Sequence, residues 1–215
     1  MEHNFWHDKW EKNQIGFHQK DINPFLIEFL PTLIQAEAIN SPTVFVPLCG
    51  KTLDIGWILS KGYEVVACEL VESAVIELFS SLDVNPEIIQ LDNHKKYSVQ
   101  SLTVYVGDIF QLDAELLGPV DFTYDRAAFV AMPESMRDDY VVQVVKLTKA
   151  APQLLITYDY DQELIQGPPF SHSKNSIHDS YQEYFALDLL TEVDADGGVR
   201  GVPAKEHIWY LKPNT

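Results

Sequence analysis

Carboxylates recur directly after short apolar runs in this sequence. Tyr63-Glu-Val-Val-Ala-Cys leads into Glu69, and Leu102-Thr-Val-Tyr-Val leads into Gly107-Asp108. Val120-Asp-Phe-Thr-Tyr leads into Asp125-Arg126, and the run from Gln153 to Tyr158 leads into Asp159-Tyr160-Asp161. Acids at strand ends accept hydrogen bonds from sugar hydroxyls and from the edge of a base. A further run, Thr43-Val-Phe-Val, is closed by Pro47 and followed by the small turn Leu48-Cys49-Gly50-Lys51. Glu69 lies 19 residues after Gly50, where the acid of a second strand meets ribose hydroxyls in a βαβ unit. Arg126 is the one arginine in this set. Phe5, Trp6 and Trp10, at helical spacing, and the loop Gly16-Phe17-His18 add flat apolar surface near the N-terminus.

Other chemistries lack their residues. There is no Gly-x-Ser-x-Gly, so an esterase-type nucleophile is not expected. Cys49-Gly50-Lys51-Thr52 imitates the tail of a phosphate-binding loop without its upstream glycine. One glycine also stands where the dinucleotide fingerprint needs three. The seven histidines form no ligand pair, and no metal is expected. Cys49 reads as a small packed residue, and Lys51 as a surface charge near a helix start.

The formal charge of −17 argues against a nucleic-acid partner and an anionic membrane surface. No apolar run approaches the roughly 20 residues that span a bilayer. The first residues carry no basic segment followed by an apolar one, so no signal peptide is expected. Cys49 and Cys68 fit reduced thiols, and a cytoplasmic location is expected. With no heptad or long apolar surface helix, a monomer is expected.

These residues need an alternating α/β frame to hold them. The opening strand is placed at 43–47 and its helix at 53–61, with Thr52 as cap and Gly62 as stop. The second strand is 63–69. Val71, Val75, Leu78, Phe79 and Leu82 predict the next helix. Residues 84–101 are polar and irregular and read as an insertion. Strands follow at 102–106, 120–124 and 153–158, with a helix at 134–149. Gly167-Pro-Pro-Phe170 predicts a rigid turn, and a helix at 174–185 precedes two strands, 186–193 and 205–212. Asp194-Ala-Asp-Gly-Gly198 makes those two an antiparallel edge pair. Upstream, a short aromatic helix spans 5–14. Asn23-Pro24 starts another helix, which Pro31 should kink or split before Ile39. The expected product is one domain, 1–215. Residues 1–40 form a helical lid, of which 1–18 orders on cofactor binding, and 41–215 an open, largely parallel α/β core.

A ligand with a sugar, a flat base and a positive centre, but no phosphate, suits such a frame; S-adenosylmethionine has these parts. Glu69 would hold the ribose, Asp108 the adenine edge and Ile109 the adenine face. Backbone at Leu48–Gly50 would approach the methionine part. Trp6 and Trp10 would exclude water and tolerate the sulfonium. Phe17 and His18 would help to cover a flat organic ligand, and Arg126 would orient it. Alternatively Arg126 pairs with Asp125 or Glu69.

The blocks Phe5-Trp-His-Asp-Lys-Trp10, Asn13-Gln-Ile-Gly-Phe-His18, Val46-Pro-Leu-Cys-Gly-Lys51, Glu69-Leu70, Gly107-Asp108, Tyr124-Asp-Arg-Ala-Ala128, Asp159-Tyr-Asp161 and Gly167-Pro-Pro-Phe170 run in that order over residues 4–170. In them the chain resembles the bacterial thiopurine S-methyltransferases. The resemblance implies a Rossmann-like class I methyltransferase fold with a seven-stranded mixed sheet and helices on both faces. It implies S-adenosylmethionine contacts at Trp10, Leu48, Glu69 and Arg126. It also implies methylation of sulfur in small aromatic or heterocyclic thiols, with selenium or tellurium species as further acceptors. Residues 171–215 show no family block. The competing readings are a halide or aliphatic thiol methyltransferase, a non-catalytic S-adenosylmethionine-binding module and a nicotinamide-dependent oxidoreductase. No acid or base residue is required, because an acidic thiol ionises unaided.

Overall fold

In a computed structural model, described over residues 3–214, the chain divides into two compact units, residues 1–122 and 123–215. The first unit contains α1 (His3–Glu11), α2 (Pro24–Ala36), β1 (Thr43–Pro47), α3 (Asp54–Ser60) and β2 (Glu64–Glu69). It continues with α4 (Glu72–Ser81), β3 (Glu87–Gln90), β4 (Lys95–Val99), β5 (Leu102–Val106) and α5 (Ala114–Leu117). β2 runs parallel to both β1 and β5, while β4 is antiparallel to β5 and to β3. Val44, Phe45 and Val46 on β1 and Val65, Val66 and Ala67 on β2 are all buried. That is the burial that unbroken apolar runs in a parallel sheet require.

Asn23 starts α2. Its side-chain oxygen accepts from the N–H groups of Phe25 at 2.9 Å and Leu26 at 3.4 Å, and Pro24 takes the first turn. The Asn23 N–H in turn donates to buried Asp54 at 2.9 Å, which ties the start of α2 to the start of α3. Pro31 does not split the helix. Leu26, Leu30, Leu33 and Ile34 bury one continuous face that bridges the missing hydrogen bond. Leu53, not Thr52, occupies the N-cap of α3, and the Thr52 hydroxyl accepts from the Asp54 N–H at 3.3 Å.

Residues 84–101 are an ordered hairpin rather than an irregular insertion. β3 pairs with β4 from Glu87↔Ser98 to Gln90↔Lys95. Glu72 of α4 clamps it, accepting from Lys95 at 2.7 Å and from the Tyr97 hydroxyl at 2.6 Å. Tyr97 also packs on Phe79, with ring centroids 5.9 Å apart. Ile88 and Ile89, the apolar residues of β3, are both exposed, so the strand carries no in–out alternation to betray it.

The second unit contains β6 (Phe122–Arg126), which begins at the boundary, α6 (Glu134–Thr148), β7 (Gln153–Tyr160), α7 (Lys174–Tyr181), β8 (Phe185–Asp194) and β9 (Ala204–Pro213). β6 is parallel to β7; β9 is antiparallel to both β7 and β8. β6 extends two residues past the expected 120–124, so Asp125 and Arg126 lie inside the strand. β7 likewise runs on to Tyr160. α7 stops at Tyr181, short of 185. Asn214 donates to the carbonyls of Gln182 and Glu183, at 3.1 and 3.2 Å, and draws that segment into the β8–β9 pair. Among the described residues nine strands form, five in the first unit and four in the second, against the seven expected; the hairpin β3–β4 is the difference.

Candidate functional site

The first unit gathers its candidate residues around Glu69. Pro47 ends β1, and Leu48 turns the chain at φ +45°, a conformation that costs a non-glycine residue energy. The Cys49 N–H donates to the Cys68 carbonyl at 3.0 Å. The Gly50 N–H donates to Glu69 Oε2 at 2.8 Å, and the Val71 N–H donates to Oε1 at 2.8 Å. The Gly107 N–H donates to the Glu69 backbone carbonyl at 2.9 Å. One residue thus joins the turn after β1, the end of β2 and the end of β5.

Two glycines here are required. Gly50 sits at φ +53°, and a Cβ on it would lie 3.1 Å from the Trp10 ring. Gly107 sits at φ +155°, and its Cβ would meet the His94 ring at 2.4 Å and the Asn93 carbonyl at 2.9 Å. His94, from the turn of the β3–β4 hairpin, is buried and places Nε2 3.1 Å from the Asp108 carbonyl oxygen. The Asp108 side chain accepts from the Phe110 N–H at 3.0 Å, and Ile109 behind it is buried.

Glu69 is 5% exposed. Burial pushes its carboxyl above the usual range; the N–H groups of Val71, Gly50 and Leu70 pull it back. Gly50 and Val71 each occupy one oxygen, and an ionised carboxylate, with about four lone-pair sites, keeps acceptor capacity for a ligand hydroxyl. Both cysteines are buried free thiols, raised first by burial and then by the Glu69 charge. Cys49 is therefore no thiolate nucleophile. Lys51 pairs with Glu77 at 2.6 Å and lies 5.7 Å from the Trp10 ring centroid.

Trp10 covers Gly50, and Phe17 packs edge-on against Trp6 and Trp10, at 5.6 and 5.7 Å. Phe5 stands against Trp6 at 5.2 Å. The His18 N–H closes the loop on the Ile15 carbonyl at 2.8 Å. Trp10, Phe17, Gly50 and Glu69 therefore form one connected chain of contacts, with Leu48 in the same turn and Asp108 and Ile109 following β5.

Arg126 belongs to the second unit. Neighbouring residues on a strand face opposite ways, so it does not share Asp125's surroundings. Asp125 is fully buried and accepts from the Phe129 N–H at 3.0 Å and the Tyr140 hydroxyl at 2.7 Å. Burial pushes its carboxyl up to about 6. Phe129 packs on His172 at 4.5 Å and on Tyr181 at 5.2 Å. Burial, with the Arg137 charge behind it, pushes His172 down to about 3. Arg126 meets Tyr158 and Glu206 instead. Those two residues, and His94 in the first unit, were not singled out from sequence. Glu206 had one signal, an acid inside the apolar run Ala204-Lys-Glu-His-Ile-Trp-Tyr-Leu211.

A ligand with a ribose and a sulfonium fits the first unit's donor set: a buried strand-end carboxylate with lone pairs to spare, a glycine turn without a phosphate cradle, and an indole face already beside a cation. Among the described residues no group of His, Cys, Asp and Glu could hold a metal ion. Among the described residues no helix is long and apolar enough to cross a membrane.

Comparison with known proteins points the same way. A family model described as Thiopurine S-methyltransferase matches residues 1–211. A thiopurine S-methyltransferase of Teredinibacter turnerae is 45% identical over 215 residues, covering 100% of this chain and 99% of its own. The corresponding protein of Xanthobacter autotrophicus is 43% identical, covering 99% of each. Among solved structures, the 1,6-didemethyltoxoflavin-N1-methyltransferase of Burkholderia thailandensis, with S-adenosylhomocysteine bound, superposes with a TM-score of 0.64 at 11% identity, covering 98% of this chain and 87% of that one. A SAM-dependent methyltransferase of Anabaena variabilis gives 0.64 at 12% identity, covering 99% and 95%. These two show the class I methyltransferase fold.

Proposed function

This chain belongs to the thiopurine S-methyltransferase family, and we propose on that premise that it transfers a methyl group from S-adenosylmethionine to the sulfur of small aromatic or heterocyclic thiols. Selenium and tellurium species belong to the same acceptor class. The observation that carries the reading is the Glu69 junction, where a buried carboxylate holds Gly50 at 2.8 Å beneath Trp10. The reading places the cofactor's ribose on Glu69, its adenine edge and face on Asp108 and Ile109, and its methionine part along Leu48–Gly50. Trp10 meets the sulfonium with a ring face. Phe17 and His18 flank the acceptor ring, and Arg126 orients the acceptor. Residues 1–40 serve as the lid segment of a single methyltransferase domain, with residues 1–18 ordered by the cofactor, in a cytoplasmic monomer.

S-adenosylmethionine supplies, when bound, a methyl group already activated on a sulfonium. The protein's own part is to position and to exclude water, which lowers the barrier without a protein nucleophile. No side chain has to take the acceptor's proton if the thiol ionises near neutral pH. The test is calorimetric titration of the full chain with S-adenosylmethionine, followed by a turnover screen of thiopurines, alkyl thiols, selenols and halides with labelled cofactor. Binding with methylation of heteroaromatic thiols is expected. No heat, or binding without methylation of any thiol, would overturn the reading. Size-exclusion chromatography tests the monomer, and equal protease sensitivity of residues 1–18 with and without cofactor would overturn the ordering of the lid.

A further inference from the structure

Arg126 ends β6, and its partner in the ladder is Ile156 of β7. Residues directly paired across a ladder share a face, and so do residues two apart on one strand. Arg126 therefore shares a face with Ile156 and with Tyr158. Tyr158 is paired across β7–β9 with Glu206. One face of three successive strands thus carries a cation, a hydroxyl and a carboxylate in series, all partly buried. The residue facing Glu206 from β8 is Val193, which does not titrate.

The three groups act on one another. Burial raises the Tyr158 hydroxyl, the Glu206 charge raises it further, and the Arg126 charge opposes both, with hydrogen bonds to each neighbour. Burial raises the Glu206 carboxyl, and Arg126 and Tyr158 hold it down. The guanidinium is a planar fork of five N–H donors, the geometry that meets a polar ring atom of an acceptor.

We infer that Glu206, acting through the bridging hydroxyl of Tyr158, is a positioning residue that fixes Arg126 and offsets its charge, so that the enzyme selects thiols acidic enough to ionise unaided and disfavours alkyl thiols. This rests on the reading of Arg126 as the residue that orients the acceptor. An unopposed guanidinium a few ångströms from a thiol lowers its pKa by roughly one to three units. A carboxylate held against that guanidinium subtracts from the effect, and the acceptor has to supply its own acidity. The thiol proton then leaves to water. The thiolate lone pair forms the new bond to the methyl carbon, and the departing sulfur keeps the electron pair of the bond that breaks.

The experiment is a spectrophotometric titration of a chromogenic aromatic thiol bound to the full chain with S-adenosylhomocysteine, which reports the bound thiol's pKa without turnover. Glu206→Gln should lower that pKa by about one unit and raise kcat/KM for an alkyl thiol relative to a heteroaromatic one at pH 7. Glu206→Asp should restore the wild-type value. Tyr158→Phe should raise the KM for the thiol and leave the KM for the cofactor unchanged, which also serves if Glu206→Gln fails to fold. Wild-type S-adenosylhomocysteine affinity together with an unshifted thiol pKa in Glu206→Gln overturns the inference. An unshifted thiol pKa and unchanged thiol KM in Arg126→Ala overturn the reading of Arg126 and this inference with it. The assignment of the methyltransferase activity is decided separately, by the cofactor titration and the thiol screen.

Discussion

Glu69 and Asp125 begin from the same sequence signature, an acid at the end of an apolar run, one in each unit. Both are buried, and burial raises both carboxyls. Their partners separate them. Glu69 is bonded by backbone N–H groups of two loops, at Gly50 and Val71, and in the proposed reading those loops face the cofactor. Asp125 is bonded by N–H groups of its own loop, at Phe129 and Ala128, and by the hydroxyl of Tyr140 on α6, and it locks that helix to the end of β6. A buried strand-end acid is therefore not a site by virtue of burial. It becomes one when it organises backbone that stays free to face a ligand.

The largest expected effect tests Glu69. In Glu69→Gln an amide N–H₂ replaces one acceptor and is left facing the N–H of Gly50 or Val71. The loss of a charged acceptor costs about 1.5–3 kcal/mol for each bond affected. S-adenosylmethionine should bind at least about a hundredfold more weakly by calorimetry, given a factor of ten per 1.4 kcal/mol. Affinity within threefold of wild type would make Glu69 as purely structural as Asp125.

Asp125→Asn should act on stability and leave cofactor affinity nearly unchanged. The native pKa of Asp125, about 6, stands above its ordinary value of 3.8. The native state therefore binds this proton more tightly, and the group's contribution is complete below the ordinary value and lost as pH rises through about 6. The full difference is about 3 kcal/mol from well below pH 3.8 to well above pH 6, at 1.36 kcal/mol per unit, and about 2.4 kcal/mol of it falls between pH 4 and pH 7. Urea unfolding across that range should show wild type losing this stability relative to Asp125→Asn. His172 has the opposite sign. Its native pKa near 3 lies below 6.5, so its contribution is present above 6.5 and lost as pH falls. His172→Gln should flatten that acid limb in the same measurement. Parallel pH profiles for wild type and both variants would remove the distinction.

Gly50→Ala sharpens the comparison on the Glu69 side. A side chain at φ +53° costs about 1–2 kcal/mol, and the new Cβ also presses on Trp10 at 3.1 Å. Tm should fall by several degrees and Trp fluorescence should change. The smallest effect belongs to Lys51→Ala. Its ion pair with Glu77 is partly exposed, with the Lys51 side chain at 21% and Glu77 at 54%, and pairs open to solvent contribute about 0–1 kcal/mol. Cofactor affinity should stay within twofold, as befits a surface charge rather than a phosphate clamp.

The elements legible in advance were those whose signal is local. β1, β2, β5 and β7 appear as apolar runs, and Asn23-Pro24 marks the start of α2. The hairpin β3–β4 was hidden because its stability comes from Glu72, Lys95 and Tyr97 meeting across 23–25 residues of chain. Pro31 does not split α2, because buried leucines outweigh one lost hydrogen bond. β6 was placed two residues early because Asp125 and Arg126 read as a loop pair, while their ladder with Leu155 and Ile156 lies in another segment.

From residue order alone follow the strand-end acids, the distance from Gly50 to Glu69, the absence of a phosphate cradle and the aromatic N-terminal segment. These are properties of types and spacings along the chain. Only the folded structure decides that Glu69 gathers three loops while Asp125 plugs a core, that Arg126 turns away from its neighbour Asp125, and that Glu206, 80 residues further on, comes to act on it. The reason is physical: alternation along a strand and register between strands set which face a side chain occupies, and register is a contact between distant segments.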